Sequence, residues 1–366
     1  MSETHICLPE LCIVVPVLNE RDNIAPLVAA VRQAMGEVAW EIVFVDDNSR
    51  DGTREAIRAV AADEPRVRMI HRVGRRGLAS AFIEGAHASF APNIAAMDGD
   101  MQHDESRLPL MLQALRDGAD LAIGSRYVPG GGVGDWDKTR AGMSDLATKL
   151  GQKVLKTHVA DPMSGFFMLK REVFDRAMPG LSAIGFKILL DIIASLPTPP
   201  RIVEIPFQFR TRVAGESKLD AGVMRDFALL LVDKMVGHVV PVRFVLFAAV
   251  GSVGIVLHML VLLLALKAAG WSFDQAQAMA TAVAILGNFG LNNHVTFGDK
   301  RLKGLRMWRG LALFAAISAV GAAGNLSVAA FMFGPQMTNW FLAGFVGAAM
   351  SLVWNYAVSS AFVWRR

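Results

Sequence analysis

The stretch WEIVFVDDNSRDGT, residues 40–53, decides the architecture. An apolar, β-branched run ends abruptly in Asp46, Asp47, Asn48 and Ser49, and Asp51-Gly52-Thr53 then opens a helical pattern. A strand that delivers polar residues straight into a helix is the repeating unit of an open α/β sheet, whose ligands bind outside the carboxyl ends of the strands. The same unit recurs outward from this stretch. LCIVVPV (11–17) runs into Leu18-Asn19-Glu20, NIAAMD (93–98) ends in Asp98-Gly99-Asp100-Met101-Gln102, and ADLAIG (119–124) leads into Ser125-Arg126-Tyr127, with VRMIH (67–71) a further strand. Helices are expected over 22–35, 53–62, 77–90 and 106–116. The fold class is therefore α/β, with a doubly wound, mainly parallel sheet.

Carboxylates that converge at strand ends repel one another unless a cation sits among them, and oxygen ligands point to a hard divalent ion. For Asp51-Gly52-Thr53 the simpler reading is a helix cap by Asp51 or Thr53. For Asp98 and Asp100, which flank a glycine straight after a buried strand, a metal is the preferred reading. Mg²⁺ and Mn²⁺ take one or two carboxylates and leave other positions to water and substrate phosphates. Arg126, Arg210, Arg212 and Lys218 offer phosphate ligands, because guanidinium forks bind two oxygens at once.

The chain has 366 residues, 53% hydrophobic and 19% charged, which excludes a disordered, collagenous or disulfide-scaffold protein. From Pro241 onward there are nine Lys/Arg and two acids, leaving 28 basic and 31 acidic residues before it. The positive balance thus belongs to the last third and does not describe a nucleic-acid face. That third contains four apolar stretches, about 243–266, 276–297, 310–333 and 340–364, each long enough to span a bilayer. The link GDKRLKGLRMWR carries five basic residues, so it and both chain ends are expected on the cytoplasmic side of a multi-pass protein. Trp271, Trp308, Trp340 and Trp364 read as interface anchors, and Asn288, Asn292, Asn293, Asn325 and Asn355 mostly as bridges between helices. His294 reads as interfacial, and Gly321, Gly324 and Ala329 as a possible face for homo-oligomers. The start, MSETHICLPE, has no export pattern and Cys7 and Cys12 have no further partners, so a reducing, cytosolic front half is expected. Residues 137–157 carry an apolar stripe (Met143, Leu146, Leu150, Val154, Leu155) with Lys149, Lys153 and Lys156 elsewhere. That pattern fits a membrane-surface helix and a sheet-packed helix equally, and 223–240 is a second candidate connector.

Pro16 to Glu20, VDDNSRDGT, DGDMQHD, GSRY, DPMSGF from Asp161, GFK from Gly185 and GESK from Gly215 occur in the order seen in family 2 glycosyltransferases of the dolichol-phosphate mannose synthase type. The likeness covers about residues 10–222, and the tail, with RFVLFAAVGSVG and NFGLNNHVTF, resembles the GtrA family of four-helix membrane proteins. The resemblance implies a cytosolic GT-A catalytic domain over 1–222, a connector over 223–240 and a membrane domain over 241–366. It implies donor contacts at Pro16, Leu18, Glu20, Val45, Asp47, Asp98, Gly99, Asp100, Gln102, Arg212 and Lys218, with metal ligands Asp98, Asp100 and Gln102 for Mg²⁺ or Mn²⁺. Arg126, Arg140 and Ser144 would meet the acceptor phosphate, and Asp98, Asp100 and Arg126 would be the catalytic residues. His103 stands in the metal loop. Leu18 departs from the aromatic residue often found there, and Gly99 from the usual alanine.

The implied reaction is inverting transfer of a hexose, foremost mannose from GDP-mannose, from a nucleotide sugar to polyprenyl or dolichyl phosphate. A UDP-sugar donor such as UDP-glucose is the alternative, and a flippase subunit with a nucleotide-sugar-binding domain is a second. The Gln-x-x-Arg-Trp motif of processive polysaccharide synthases is absent. In a bacterium the enzyme would sit in the inner membrane.

Overall fold

The computed structural model of the chain describes residues 8–134, 147–182, 185–210, 221–237, 240–332 and 340–365. They divide into two compact units, the first ending at Met235 and the second starting at Val236. The first unit holds a seven-stranded sheet of β1 (Leu11–Val17), β2 (Trp40–Asp46), β3 (Val67–His71), β4 (Asn93–Ala96), β5 (Leu121–Ser125), β6 (Phe167–Lys170) and β7 (Ile202–Pro206). The strand order is β3-β2-β1-β4-β6-β5-β7, and every pair is parallel except those made by β6. Strands covered on both faces carry continuous apolar runs, which is why LCIVVPV and WEIVFVD were legible.

Helices α1 (Ile24–Met35), α2 (Thr53–Asp63), α3 (Leu78–His87), α4 (Leu108–Arg116), α5 (Arg171–Ala177) and α6 (Ile188–Ser195) cover the two faces. Ile13, Val15 and Phe44 pack with Leu27, Ile57 and Met111 from α1, α2 and α4. On the opposite face Val14, Val43 and Val45 pack with Phe82, Phe174 and Ile192 from α3, α5 and α6. Boundaries differ from the sequence reading at element ends. The strand expected over 93–98 stops at Ala96, which releases Asp98 into a turn, and one-turn 3₁₀ segments precede α1 and α4.

Helix α7 (Ala221–Val236) packs with the first unit: Phe227 and Leu230 are buried with Met163 and Leu190. Farther along, the Lys234 ammonium lies 2.5 Å from an Asp191 oxygen and donates to the Gly180 carbonyl at 2.6 Å and to Ser195 Oγ at 2.8 Å. Most of the connector read over 223–240 is thus fastened to the catalytic unit by an apolar stripe and a buried ion pair. Of the stripe read over 137–157, the described part includes a helical segment at 147–152 whose Leu150 and Ala147 join that same cluster.

The second unit contains α8 (Val242–Lys267), α9 (Phe273–Leu291), α10 (Leu305–Met332) and α11 (Trp340–Phe362). Four helices follow in the expected order, and three segments, Val242–Lys267, Leu305–Asn325 and Phe345–Phe362, are long and apolar enough to cross a membrane. Asp274, Gln275, Gln277 and Asn288 lower the apolar character of α9. That helix also ends at Leu291, short of the expected 297, and passes into a π-helical turn at Asn292–Thr296.

Three asparagines fit against glycines of a neighbouring helix: Asn288 on Gly254, Asn355 on Gly321 and Asn325 on Gly347. A Cβ at any of the three glycines would collide with the amide. Gly321 is therefore filled from within the chain, which removes it from the face read for oligomers; the side chain of Ala329 lies outside those described. Trp364, read as an interface anchor, is fully buried and stacks on Phe297 at 4.3 Å. Trp271 and Trp308 are exposed at 39% and 63%, as anchors would be, and the side chain of Trp340 is not among those described.

Candidate active site

The described non-glycine residues with left-handed backbone are Asn19, Asn48 and Met101, at φ of 59°, 63° and 63°. They sit just past β1, β2 and β4, and residues held in that region cluster at ligand sites because the surroundings must force them there. The first two turns are knitted together. The Asn19 amide donates to Ser49 Oγ at 2.9 Å and its side-chain oxygen accepts from the Arg50 amide at 2.9 Å. The Glu20 amide donates to Thr53 Oγ1 at 3.0 Å, while the Arg21 amide donates to Asp51 at 3.1 Å. Pro16 and Val45 are register partners in the β1–β2 pair, and Leu18 follows at the rim. The Glu20 carboxylate accepts from Asn23 at 2.7 Å.

Asp51 accepts from the backbone and hydroxyl of Thr53, the first residue of α2, but the capping position is Gly52, so the cap expected from Asp51 or Thr53 is not formed by either. Partial burial alone would raise its pKa; the Thr53 hydroxyl and the Arg21 and Thr53 amides outweigh that and hold it below the usual carboxylate range.

Asp47, read as a donor contact, has both oxygens engaged within the protein. Oδ1 accepts from Arg72 Nε at 2.6 Å and Oδ2 from the Gly77 amide at 2.9 Å. Arg72 is fully buried and also donates to the Gly77 carbonyl and Ser80. This pair fixes the loop that leads from β3 into α3. The sequence reading did not single out Arg72; its position directly after the VRMIH strand was the available signal.

Past β4, Asp100 and Gln102 are buried, while the Asp98 side chain is 35% exposed. The Asp98 amide donates to His103 Nδ1 at 3.1 Å, so a neutral imidazole carries its proton on Nε2, which lies 3.7 Å from Asp98 Oδ2. His103 is 2% exposed and stacks on Phe166 at 5.0 Å, so it buttresses the turn from below. A Cβ on Gly165 would lie 3.2 Å from Asp98 Oδ2, so the glycine lets the backbone pass close beside that carboxylate. Gly99 is equally constrained, since a Cβ there would come within 2.8 Å of Val17 Cγ1. Gln102 donates through Nε2 to the Arg210 carbonyl at 2.9 Å, and Arg210 bonds Glu105 at 2.8 Å and Asp104 at 3.0 Å. Gln102 and Arg210 thereby tie the strand-end loop to the segment after β7.

Arg126, at the end of β5, is 9% exposed and forks onto Asp161 with bonds of 2.7 and 2.8 Å, while its amide adds a third at 3.1 Å. Burial alone would lower the guanidinium pKa; the hydrogen bonds and charge of Asp161, with a further contribution from Asp98, raise it instead. Asp161 is fully buried, and Glu204 of β7 anchors its loop by accepting from the Ala160 and Asp161 amides at 2.9 and 3.1 Å. Asp161 was legible only as part of a motif; its role as the partner of Arg126 comes from the fold. Arg140, Ser144, Arg212 and Lys218 lie outside the described residues.

Among the described residues no group of three His, Cys, Asp or Glu side chains could hold a metal. Two carboxylates in one turn, Asp98 and Asp100, fit an ion that takes one or two protein carboxylates and completes its shell with substrate oxygens.

Acid-bearing turns at the carboxyl ends of parallel strands, beside a braced arginine, form the ligand crevice of an open α/β sheet, and the sequence places that sheet in a glycosyltransferase class. Residues 12–177 match Glycosyl transferase family 2, and 246–364 match the GtrA/DPMS transmembrane domain. The chain is 32% identical to dolichol-phosphate mannosyltransferase of Pyrococcus furiosus, over 97% of this chain and 99% of that one. It is 38% identical to dolichol-phosphate mannosyltransferase of Saccharomyces cerevisiae over 59% of this chain and 83% of that one. Among solved structures, glucosyl-3-phosphoglycerate synthase of Mycobacterium tuberculosis in complex with Mn²⁺, UDP and glucosyl-3-phosphoglycerate is similar at a TM-score of 0.46 and 18% identity, covering 62% of this chain and 80% of that one. The chain belongs to the dolichol-phosphate mannosyltransferase family, a family 2 glycosyltransferase domain followed by a GtrA/DPMS membrane domain.

Proposed function

We propose that the protein transfers mannose from GDP-mannose to a polyprenyl or dolichyl phosphate, with inversion at the sugar and with Mg²⁺ or Mn²⁺ bound at Asp98 and Asp100. The carrying observation is the turn after β4, where two carboxylates follow a buried strand and Gly99 lies against Val17. Likeness to the Pyrococcus enzyme along nearly the whole chain supports mannose as the sugar and a lipid phosphate as the acceptor.

A divalent cation held there would neutralise charge developing on the leaving diphosphate, an effect that counts most when the ligands are already fixed. Rigidity is what the surroundings supply: Met101 is forced left-handed, His103 backs the turn, and Gly99 lies against Val17. The Pro16 to Glu20 and Val45 to Asp47 rim would hold the nucleoside, with Gln102, Arg212 and Lys218 reaching the diphosphate. A phosphomonoester with a second pKa of about 6 is already mostly ionised near neutral pH, so attack needs no general base. Arg126 would steer the acceptor phosphate from its Asp161 mount, with Arg140 and Ser144 beside it.

The acceptor's tail stays in the bilayer, which accounts for the apolar helices of the second unit. With all four helices crossing and the basic connection 300–309 on the cytoplasmic face, both chain ends and the catalytic unit lie on that face as well. The domain limits proposed are 1–222 for catalysis, 223–240 for the connector and 241–366 for the membrane domain.

Membranes carrying the protein, given labelled GDP-mannose or UDP-glucose with undecaprenyl phosphate, test the donor. Labelled lipid from GDP-mannose alone is expected. Product only from UDP-glucose would reassign the sugar, and nucleotide-sugar binding without lipid product from either would favour a transport role.

A further inference from the structure

We propose that the connection between α9 and α10 is a preformed binding surface for anionic phospholipid headgroups, an inference that rests on the membrane placement above. Asn293 is 2% exposed and clamps the connection from within the bundle. Its Oδ1 accepts from the Leu302 amide at 2.8 Å and from Trp364 Nε1 at 3.1 Å, while Nδ2 donates to the Leu302 carbonyl at 3.1 Å. Both backbone groups of Leu302 are therefore held by one side chain. The Leu302 and Met307 side chains point inward, into the cluster of Phe289, Phe297, Phe314 and Trp364. Next door, Asn292 Oδ1 accepts from Thr296 Oγ1 at 2.7 Å and stiffens the π-helical turn.

With the inner side anchored, the outer side carries the charge. Arg301, Lys303, Arg306 and Arg309 are all exposed, and none of the four forms an ion pair among the described residues. Leu305 and Trp308 stand among them at 68% and 63% exposure. Exposed cations interleaved with an exposed indole and a leucine suit the headgroup layer, where Trp sits at the interface and Lys and Arg meet lipid phosphates. A loop that only kept its charge on one side of the membrane would not need a fixed backbone. The Asn293 clamp fixes the backbone at Leu302, between Arg301 and Lys303, before any lipid arrives, which lowers the ordering cost of binding.

The test uses the purified full chain in a neutral detergent, titrated with phosphatidylglycerol or phosphatidylcholine. Bound lipid is counted by native mass spectrometry and stability followed by thermal unfolding. Phosphatidylglycerol is expected to remain bound and raise the unfolding temperature, and phosphatidylcholine to do neither. The variant R301Q/K303Q/R306Q/R309Q should bind phosphatidylglycerol about tenfold or more weakly while keeping the unfolding temperature of the lipid-free protein. Asn293→Asp, similar in size but unable to donate to the Leu302 carbonyl, should weaken binding with all four cations in place. Equal effects of the two lipids, unchanged binding by the fourfold variant, or the same stabilisation by inorganic phosphate alone would each overturn the proposal. Alkaline carbonate extraction separates the two levels: a chain released into the soluble fraction contradicts the membrane placement, whereas a retained chain without lipid preference contradicts this surface only.

Discussion

Removing Asp161 should cost the catalytic unit more stability than removing almost any surface charge. The carboxylate is fully buried, and Arg126, 9% exposed, sends it three hydrogen bonds of 2.7 to 3.1 Å. Asp161→Ala leaves a guanidinium in a site from which water is nearly excluded. Breaking a buried pair from one side costs about 3–5 kcal/mol, because the remaining charge is uncompensated. At roughly 2–4 °C per kcal/mol for a domain of this size, the unfolding temperature should fall by about 6–20 °C. The assay is thermal unfolding of the full chain in detergent at a single scan rate, followed by tryptophan fluorescence. Arg126→Met added to Asp161→Ala should restore much of the loss, since removing both charges leaves no orphan. The Arg126 pKa is raised rather than lowered, so the guanidinium keeps its charge and the deficit should not change across the neutral range. A single variant within about 2 °C of wild type, or a double variant as unstable as the sum of the singles, would refute the reasoning.

Gly99→Ala places a methyl 2.8 Å from Val17 Cγ1, so the turn that carries Asp98 and Asp100 must shift; kcat is expected to fall at least tenfold with a stability loss of about 1–3 kcal/mol, measured by single-turnover transfer and thermal unfolding. Lys234→Met should loosen α7 from α6 by taking the ammonium away from Asp191, which keeps its bonds from Ser182, and limited proteolysis is expected to cut near 221–236 sooner than in wild type. Glu64 is drawn from 4.5 to about 2, chiefly by its hydrogen bond from Arg66. Its folded pKa is depressed, so its contribution is complete above about pH 4.5 and disappears as the pH falls toward 2; Glu64→Gln should flatten the acid limb of a stability-versus-pH curve in that window.

The parallel half of the sheet was readable because its strands are buried on both faces and end in acids, as LCIVVPV and WEIVFVD do. The strands β6 and β7 were not. FMLK is four residues long and antiparallel, and IVEIP carries Glu204, whose buried partners are backbone amides some forty residues earlier in the chain. The carboxylates at Asp98 and Asp100 were legible as a turn after a strand, whereas the residues that brace the site depend on pairings across the fold. Arg72 under Asp47, Asp161 under Arg126 and His103 behind Asp98 are separated from their partners by 25, 35 and 5 positions, with no local pattern to mark them. In the membrane unit, Trp364 follows the residue pattern of an interface anchor, but the bundle uses it as the lid of an aromatic cluster. The glycine and asparagine stripes likewise turned out to face each other across neighbouring helices.

The role proposed for the Asp98 and Asp100 turn is to work on a nucleotide-bound mannose for delivery to a lipid phosphate. It is tested most directly by incubating membranes carrying the protein with labelled GDP-mannose, polyprenyl phosphate and Mn²⁺, beside membranes carrying Asp100→Ala. Labelled mannosyl lipid from the wild type, abolished by the substitution and by chelation of the metal, is the predicted result; lipid labelling that survives both, or a wild type that yields none, would contradict the account.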